Sequence, residues 1–521
     1  MKKRAFLAMA LSLGVLFLWQ TAVQKMYHID NKTVTSGEPQ QIPPVQIDDV
    51  ISPLSSAQDV LKSSVPESFL GQIETAKVKL EYSNPGARVN KIFVKDYNID
   101  SDIKGSLYLK SMENDIYIFK DNVGAELSIS KNGHFNVQKL TSSNTHYFFN
   151  LEIIFKNLSD LPWKLKDKLV IATIAPNAKA QEAQLSEVVL FAEDTTRKNP
   201  LGIKGVFVSQ NTLKAIGYRD RYTCIIVSPQ DSQQSKGYIE KSTQHSVEVG
   251  LDIDEFKISP KGQKVFNYLV YVGPQDKAML KQANQGFEGM VYHGTFDFIS
   301  TTLLSVMQFF HKLFGNWGIA LILLSIFIYG CTYPLTLKQM RSMKEMQDLQ
   351  PQIQALQRNH KDNPQRLNKE IMELYRKHKV NPLGGCLPMI LQIPVFFGLY
   401  QALSRAIVLK GSKFLWIKDL AEPDKLFQIA KPVPFIGTEI NLLPILMALG
   451  MFLQQKMSMK SSATSPEMRE QQKIMVIIFP IMMGFVFYHF PSGLALYWFM
   501  NTALSILSQW KILKAKELAK A

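Results

Sequence analysis

The chain has 521 residues, 46% of them hydrophobic, and a formal net charge of +15. Such a charge would suit a nucleic-acid binder, but the lysines and arginines flank long apolar segments, as they do in membrane proteins with basic cytoplasmic loops, so we predict no DNA binding. The three cysteines, Cys224, Cys331 and Cys386, form no CxxC pair, which argues against a disulfide framework or a cysteine metal site.

The first 67 residues combine an apolar segment with a linker that contains several prolines. The basic start Met1-Lys-Lys-Arg precedes an apolar run over residues 5–19. Because Thr21-Ala22-Val23 is a poor cleavage site, we predict that residues 1–24 are an uncleaved transmembrane anchor with a cytoplasmic N-terminus. A cleaved signal peptide is the alternative. Residues 25–67 read as an extended linker.

Residues 68–290 have the pattern of an all-β domain. Short runs of β-branched and aromatic residues alternate with turn signals such as Asn84-Pro85-Gly86 and Lys131-Asn132-Gly133. Many short strands at regular spacing predict an antiparallel sandwich. An anchor with a cytoplasmic N-terminus would place this domain in the periplasm.

Residues 296–314 form an amphipathic pattern directly before the first long apolar segment. Apolar side chains recur every three or four residues, at Phe296, Ile299, Leu303, Val306, Phe310 and Leu313. This pattern is typical of a helix that lies in the membrane interface. A helix packed on the soluble domain is the alternative, but the continuity with the following segment favours the interface.

Five apolar segments follow, and we predict that they span the membrane within a core at residues 316–512. They are residues 317–335, 385–403, 442–455, 474–490 and 493–510. With the anchor they make six spans, so both termini, including the basic tail 513–521, would lie in the cytoplasm. The loop 337–384 holds ten basic and five acidic residues, which also places it in the cytoplasm. The predicted location is the cell inner membrane, crossed several times.

Uncharged polar side chains take the place of charges in these spans, which contain no Asp, Glu, Lys or Arg. They form a stripe on the first span, a stripe on the last span and a single glutamine on the second: Ser325, Tyr329, Thr332 and Thr336; Tyr497, Asn501, Ser505 and Ser508; and Gln392. Such side chains suit a wet groove that lowers the cost of desolvating a polar client segment. Hydrogen bonding between helices is the alternative. We predict no catalytic residue, cofactor or metal.

The basic loop 337–384 reads as a helical hairpin, with helices at 338–357 and 365–379. Lys338 and Arg341 would stand at the mouth of the groove. Three methionines on the first helix have flexible side chains that suit varied partners: Met340, Met343 and Met346. For the leucines and isoleucine of the same helix, a packed hairpin seam is at least as good an explanation.

Several separate segments resemble the YidC/Oxa/Alb family of membrane protein insertases, in the family's order and spacing. They are Gly315-Asn-Trp-Gly318, Tyr333-Pro-Leu-Thr336, Leu349-Gln-Pro351, Val380-Asn-Pro-Leu-Gly-Gly-Cys-Leu-Pro388, Gln392-Ile-Pro394, Gln471-Gln-Lys-Ile-Met475 and Phe490-Pro-Ser-Gly-Leu494 with Tyr497. The domain before them resembles the periplasmic domain of Gram-negative family members in its pattern of short strands rather than in a sequence motif.

The resemblance implies a polytopic α-helical membrane protein, with an N-terminal anchor, a five-helix insertase core and an all-β periplasmic super-sandwich domain. It implies a groove open to the cytosol and a function in the insertion, folding and assembly of integral membrane proteins, without enzymatic activity. The expected partners are nascent membrane-protein clients, the Sec translocon with its accessory subunits, the ribosome and membrane lipids.

One position departs from the family pattern. Members usually carry an arginine four residues before the tyrosine of Tyr-Pro-Leu-Thr, where it attracts acidic client tails, and here that position is Tyr329. A neutral tyrosine costs far less in hydrocarbon than a charge. We hypothesise that uncharged side chains make the groove polar and that Lys338 and Arg341 attract acidic tails at its mouth.

Two other functions are weighed against insertion. A secondary transporter would need internal repeats or paired broken helices, and the spans show no repeat. A sugar-active enzyme would fit the super-sandwich fold, but a fold does not give a function. The histidines of the β-domain, His134, His146 and His245, have no carboxylate pair at a persuasive spacing.

Overall fold

The computed structural model describes residues 68–518 except 102, 104, 123, 132, 145, 175–184, 204, 231–234, 242–245, 284, 293, 361–362, 379, 381–386, 434–436 and 461–465. The predicted anchor (1–24), the predicted linker (25–67) and the end of the basic tail lie outside the described residues.

An all-β domain occupies the chain from Ser68 to Pro274. Its strands are β1 (Ser68–Glu74), β2 (Val78–Asn84), β3 (Arg88–Val94), β4 (Ile99–Asp100), β5 (Tyr108–Leu109), β6 (Ile118–Asn122), β7 (Gly124–Lys131), β8 (Phe135–Ser143), β9 (Phe148–Asn157), β10 (Trp163–Ile174), β11 (Glu187–Phe191), β12 (Thr195–Lys198), β13 (Val206–Val208), β14 (Ala215–Arg219), β15 (Thr223–Pro229), β16 (Lys236–Lys241), β17 (Val247–Ile258) and β18 (Gln263–Pro274).

These strands form three antiparallel sheets. The largest has the order β12-β11-β14-β15-β18-β9-β8-β7-β6, the second β13-β16-β17-β10-β5, and the third β1-β2-β3-β4. Burial alternates along β8, because successive side chains of a strand point to opposite faces of the sheet. The buried faces share one apolar core, in which the rings of Phe135 and Trp163 stack at 4.1 Å.

Helices dominate the chain after Pro274. They are α1 (Lys277–Lys281), α2 (Asp297–Phe314), α3 (Trp317–Asp348), α4 (Gln350–Asn359), α5 (Pro364–Lys377), α6 (Leu387–Arg405), α7 (Leu442–Lys460), α8 (Pro466–Phe487) and α9 (Ser492–Leu518), and the short strands β19 (Phe427–Val433) and β20 (Gly437–Ile440) pair between α6 and α7. An all-β domain followed by a helical domain is the order that the predicted fold class requires.

One helical stretch of the described residues, Trp317–Ser342 in α3, is long and apolar enough to cross a membrane by length and composition. The apolar stretches Leu442–Met457 in α7 and Val476–Phe487 in α8 are shorter. The four later predicted spans coincide with α6, α7, α8 and α9. Their crossing of a membrane stays a prediction at this point, because helix position alone does not test it.

The hairpin differs from its prediction in one respect. The sequence places a boundary near residue 337, where apolar residues give way to charged ones, but α3 continues through it to Asp348. The second half of the predicted first helix is the separate helix α4. The start of α5 follows from local chemistry, since the Asn363 side chain accepts a hydrogen bond from the Arg366 amide and Pro364 occupies the first turn.

The motif Gly315-Asn-Trp-Gly318 forms the corner between α2 and α3. Gly315 ends α2 with a φ of 67°, a conformation that glycine adopts without steric cost. The Asn316 side chain then accepts hydrogen bonds from the amides of Gly318 and Ile319, at 2.8 and 3.1 Å, and so caps α3. The corner directs α2 back against α6, where the Ser300 hydroxyl donates to the Gly398 carbonyl at 2.8 Å.

The β-domain contacts the helical domain through the turn between β14 and β15. Arg221 pairs with Glu422 at 2.6 Å and donates to the carbonyls of Ser404 and Ala421. Beside it, Tyr222 packs with Ile407, in the 3₁₀ turn that follows α6. The turn therefore ties the β-domain to the segment between α6 and α7.

Candidate functional site

The predicted polar positions lie where α3, α6 and α9 pack around an apolar centre. Leu321 and Leu324 of α3, Leu403 of α6 and Leu494 of α9 are buried there. These helices also expose large apolar side chains, such as Phe327 of α3 and Leu507 of α9, as helices that are apolar all round do. The polar side chains of interest lie along the same three helices, so their neighbours decide whether they meet.

Tyr329 contacts the last helix directly. Its hydroxyl donates to the Ser508 hydroxyl at 2.8 Å, which joins α3 to α9. Both side chains are half-buried, and the Tyr329 ring lies 6.0 Å from the ring of Tyr333. Each hydroxyl can donate and accept, so this contact uses no charge.

A second polar contact joins α6 to α9. The Gln392 amide donates to the Tyr497 hydroxyl at 2.6 Å, and the Asn501 amide donates to the Tyr497 carbonyl at 2.9 Å. Tyr497 has no exposed surface. Ser508 lies eleven positions after Tyr497, so the two contacts are separated by about 16 Å along α9 at the rise of an α-helix.

Two further predicted groove residues, Ser325 and Thr332, form hydrogen bonds within their own helix. The Ser325 hydroxyl is fully buried and donates to the Leu321 carbonyl at 2.8 Å, and the Thr332 hydroxyl donates to the Ile328 carbonyl at 3.0 Å. Such back-bonding is common for hydroxyls inside helices. Ser505 is half-buried on α9. The polar stripes are therefore partly joined across helices and partly satisfied locally.

The predicted mouth residues lie on the extension of α3. Lys338 and Arg341 are exposed, and Met340 is half-buried. Met346 packs against the cluster of Leu349, Ile353 and Val380, so it belongs to the hairpin seam. The Met343 side chain lies outside the described residues.

Ser508 was part of the stripe on the last span, but sequence reasoning did not select it as a site residue. Its spacing from Ser505 was a signal for the shared face, and only the packing shows that Tyr329 reaches it. No such signal exists for contacts between the domains, such as Arg221 with Glu422. Within the described residues, no group of three His, Cys, Asp or Glu side chains is placed to hold a metal ion.

Comparison with known proteins identifies two matching families. A family model described as "60Kd inner membrane protein" matches residues 309–519, and one described as "YidC periplasmic domain" matches residues 119–306. Together they cover the helical domain and most of the β-domain.

Two relatives from other bacteria show how far the similarity extends. A membrane protein insertase YidC of Endomicrobium trichonymphae is 33% identical over 389 residues, which are 74% of this chain and 72% of the relative. One of Pelobacter propionicus is 38% identical over 299 residues, 57% of this chain and 54% of the relative. Among solved structures, an active YidC insertase with its first transmembrane domain resolved covers 84% of this chain and 92% of its own, at 18% identity and a TM-score of 0.40.

These matches confirm the predicted family, the inner-membrane location and the prediction that the protein is not an enzyme. The family models also give the helical domain its class, a polytopic membrane domain, which helix lengths alone left open. Clients of such a protein are other membrane proteins. The chain belongs to the YidC family of membrane protein insertases.

Proposed function

We propose that the chain inserts and helps to fold client membrane proteins through an uncharged polar groove between α3, α6 and α9, open to the cytosol. The groove residues are Ser325, Tyr329, Thr332, Gln392, Tyr497, Asn501 and Ser505, together with Ser508. Insertion proceeds either alone or beside the Sec translocon, and it uses no cofactor.

The hydrogen bond between Tyr329 and Ser508 is the observation that carries this proposal. It joins two helices by two neutral hydroxyls in half-buried positions. A polar group of a client can replace either partner, because each hydroxyl donates and accepts. Interhelical bonds of this kind contribute only about 0.6 kcal/mol on average in a membrane, so the exchange costs little. The contact of Gln392 with Tyr497 would offer a second pair of polar groups to which a client could form hydrogen bonds.

Attraction of acidic client tails passes to the exposed cations Lys338 and Arg341. They follow Tyr329 by nine and twelve positions on the same helix, α3. At the rise of an α-helix these cations lie about 14 and 18 Å from Tyr329 along α3. The cations would therefore collect a tail at the mouth without placing a charge beside the hydroxyls.

The proposed orientation follows from charge. The hairpin and the C-terminal tail carry excess positive charge, which favours the cytoplasmic side. Both termini would then lie in the cytoplasm and the β-domain in the periplasm. The hairpin helices α4 and α5 would face the ribosome and the emerging client, and the translocon would contact the core laterally.

The test uses the purified full chain in liposomes and two small clients that differ only in an acidic or a neutral N-terminal tail. Tyr329→Phe is expected to slow insertion of both clients several-fold, whereas Tyr333→Phe, the matched control on the same helix, changes neither. Lys338→Gln with Arg341→Gln is expected to slow only the acidic client. Lys418→Gln removes an exposed lysine from the segment between α6 and α7 and should have no effect.

The proposal fails if Tyr329→Phe and the double substitution at Lys338 and Arg341 both leave insertion of both clients unchanged. Protease protection of the client tail measures insertion. The amount of variant protein recovered in the liposomes is measured separately and would reveal a folding defect.

A further inference from the structure

A cavity lies where the β-domain, α2 and the end of α6 meet. Its volume is about 370 Å³, and its wall includes Lys277, Tyr292, Leu304, Gln308, Arg405 and Ile407. This volume falls within the range of small-molecule sites, roughly 300–1,000 Å³. The polar residues described above for client insertion are not part of its wall, so the cavity needs its own explanation.

Arg405 of the cavity wall belongs to a buried group in which two guanidinium groups share one carboxylate. Arg219 pairs with Glu187 at 2.6 Å, and Arg405 lies 3.6 Å from the other oxygen of the same carboxylate. The side chains of Arg219 and Arg405 are only 1% and 8% exposed.

The other charged residues of the wall do not cancel the net positive charge of this group. Asp276 lines the cavity, but its carboxylate accepts hydrogen bonds from the amides of Ala278 and Met279 and so caps α1. Lys277 is exposed at the rim. Counted with Arg219 and Glu187 behind the wall, the group holds three cations (Arg219, Lys277 and Arg405) and two anions (Glu187 and Asp276), so a bound group that completes the balance would be anionic.

One side of the cavity is apolar. Leu304 of α2 and Ala406, Ile407 and Val408 after α6 line it. The outer face of α2 exposes large apolar side chains, with Phe298 83% and Leu313 62% exposed, as a helix lying in the membrane interface does. A cavity with cations on one side and apolar side chains on the other, at the level of such a helix, suits an amphiphile.

We propose that this cavity binds the headgroup of an anionic phospholipid from the leaflet next to the β-domain. The phosphate would lie between Arg405 and Lys277, since a guanidinium group matches the oxygens of a phosphate in a planar, two-pronged arrangement. The glycerol and the first acyl carbons would lie against Leu304 and Ile407. The bound lipid would then contact all three elements, and so fix the β-domain relative to the bilayer.

The experiment uses the full chain in nanodiscs of phosphatidylcholine with a minor fraction of phosphatidylglycerol, followed by native mass spectrometry in mild detergent. The wild type is expected to retain phosphatidylglycerol. Arg405→Gln should retain roughly tenfold less, because a charge-assisted contact is lost. Ala278→Trp fills the cavity from an exposed position and keeps every ion pair, so its retention should fall with the melting temperature unchanged.

The matched control is Lys312→Gln, which removes an exposed lysine of α2 outside the cavity wall and should retain the lipid as the wild type does. Equal retention in the wild type, Arg405→Gln and Ala278→Trp would overturn the proposal. So would an equal loss in Lys312→Gln, which would mean that any interfacial cation suffices. Inorganic phosphate is the second probe: if it displaces the lipid as well as a short-chain phosphatidylglycerol does, the site is one for free phosphate and the lipid proposal is wrong.

Discussion

The β-domain and the membrane domain handle buried polar groups in different ways. The β-domain buries charges: Arg219 with Glu187, Asp167 with Ser111, and Lys139 against backbone carbonyls. The predicted spans contain no charged residue, and their interhelical contacts in α3, α6 and α9 join neutral groups. A charge at the centre of a membrane helix costs about 2.5–3.5 kcal/mol on insertion scales.

This difference indicates which contacts hold the structure rigid and which contacts can be exchanged for others. A buried ion pair is costly to break, because the remaining partner is left unpaired in a medium of low polarity. A neutral hydroxyl pair costs little to open. The buried ion pair of the β-domain is therefore costly to open, whereas the contact of Tyr329 with Ser508 has the low cost that the proposed exchange with a client requires.

The largest effect is expected from the β-domain's buried ion pair. Arg219→Ala should lower the free energy of unfolding by about 3–5 kcal/mol, as loss of one buried partner does, since Arg219 also donates to the carbonyl of Met290. Hydrogen exchange of the β14 amides in the full chain measures it. The control Lys164→Ala breaks an exposed pair with Glu255 at 3.6 Å and should cost less than about 1 kcal/mol. Equal costs would remove the contrast between buried and exposed charge.

A pH dependence that is intermediate in size for each pH unit is expected from Lys139. Burial lowers its pKa to about 7 from an ordinary value of 10.5, and its ammonium group donates to the carbonyls of Ala87 and Leu107. Between pH 7 and 10.5 the unfolded chain binds more protons than the folded one, so stability should rise with pH, by at most about 1.4 kcal/mol per unit. Below pH 7 both states carry the proton and this rise ends.

Lys139→Met removes that group and should flatten the rise in stability between neutral and alkaline pH, as measured by hydrogen exchange of the β8 and β9 amides after correction for intrinsic exchange. Lys164→Met, at an exposed position of β10, is the control and should keep the rise. A slope that survives in Lys139→Met would show that another group titrates in this range.

The smallest effect is expected in the membrane domain. A double-mutant cycle of Tyr329→Phe and Ser508→Ala should give a coupling of about 0.6 kcal/mol, the average for such bonds in a membrane. Reversible unfolding of the full chain in mixed micelles measures it. A coupling free energy of about 3 kcal/mol or more, as expected for the buried ion pair, would mean that this contact is too stable to open. The proposed exchange with clients would then lose its basis.

Much of the local structure was readable from the sequence. Alternation predicted the β-domain, and the observed burial along β8 shows why, since every second side chain enters the core. The apolar spacing predicted a helix over 296–314, and α2 occupies Asp297–Phe314. The break before Pro364 begins α5 because Asn363 and Pro364 act within one turn. In each case the cause lies within a few residues of the chain.

Contacts between distant segments were decided by the tertiary structure. The stripes showed which face of each span is polar, but not that Tyr329 meets Ser508, 179 positions away, or that Gln392 meets Tyr497. The stripe also included Ser325, whose hydroxyl bonds to its own helix. The change from apolar to charged residues near 337 suggested a boundary, yet α3 continues because a helix depends on backbone bonds that exposed charges do not disturb.

The same limit applies at the domain junction. Sequence and composition determined that this is a membrane protein with an added β-domain and uncharged spans, because hydropathy, charge placement and periodicity act locally. Only the packing brought Arg405 from the end of α6 to Glu187 of the β-domain and left a cavity beside them. The sharing of Glu187 by Arg219 and Arg405 depends on how distant helices and strands are placed in space. A local sequence pattern contains no information about that placement.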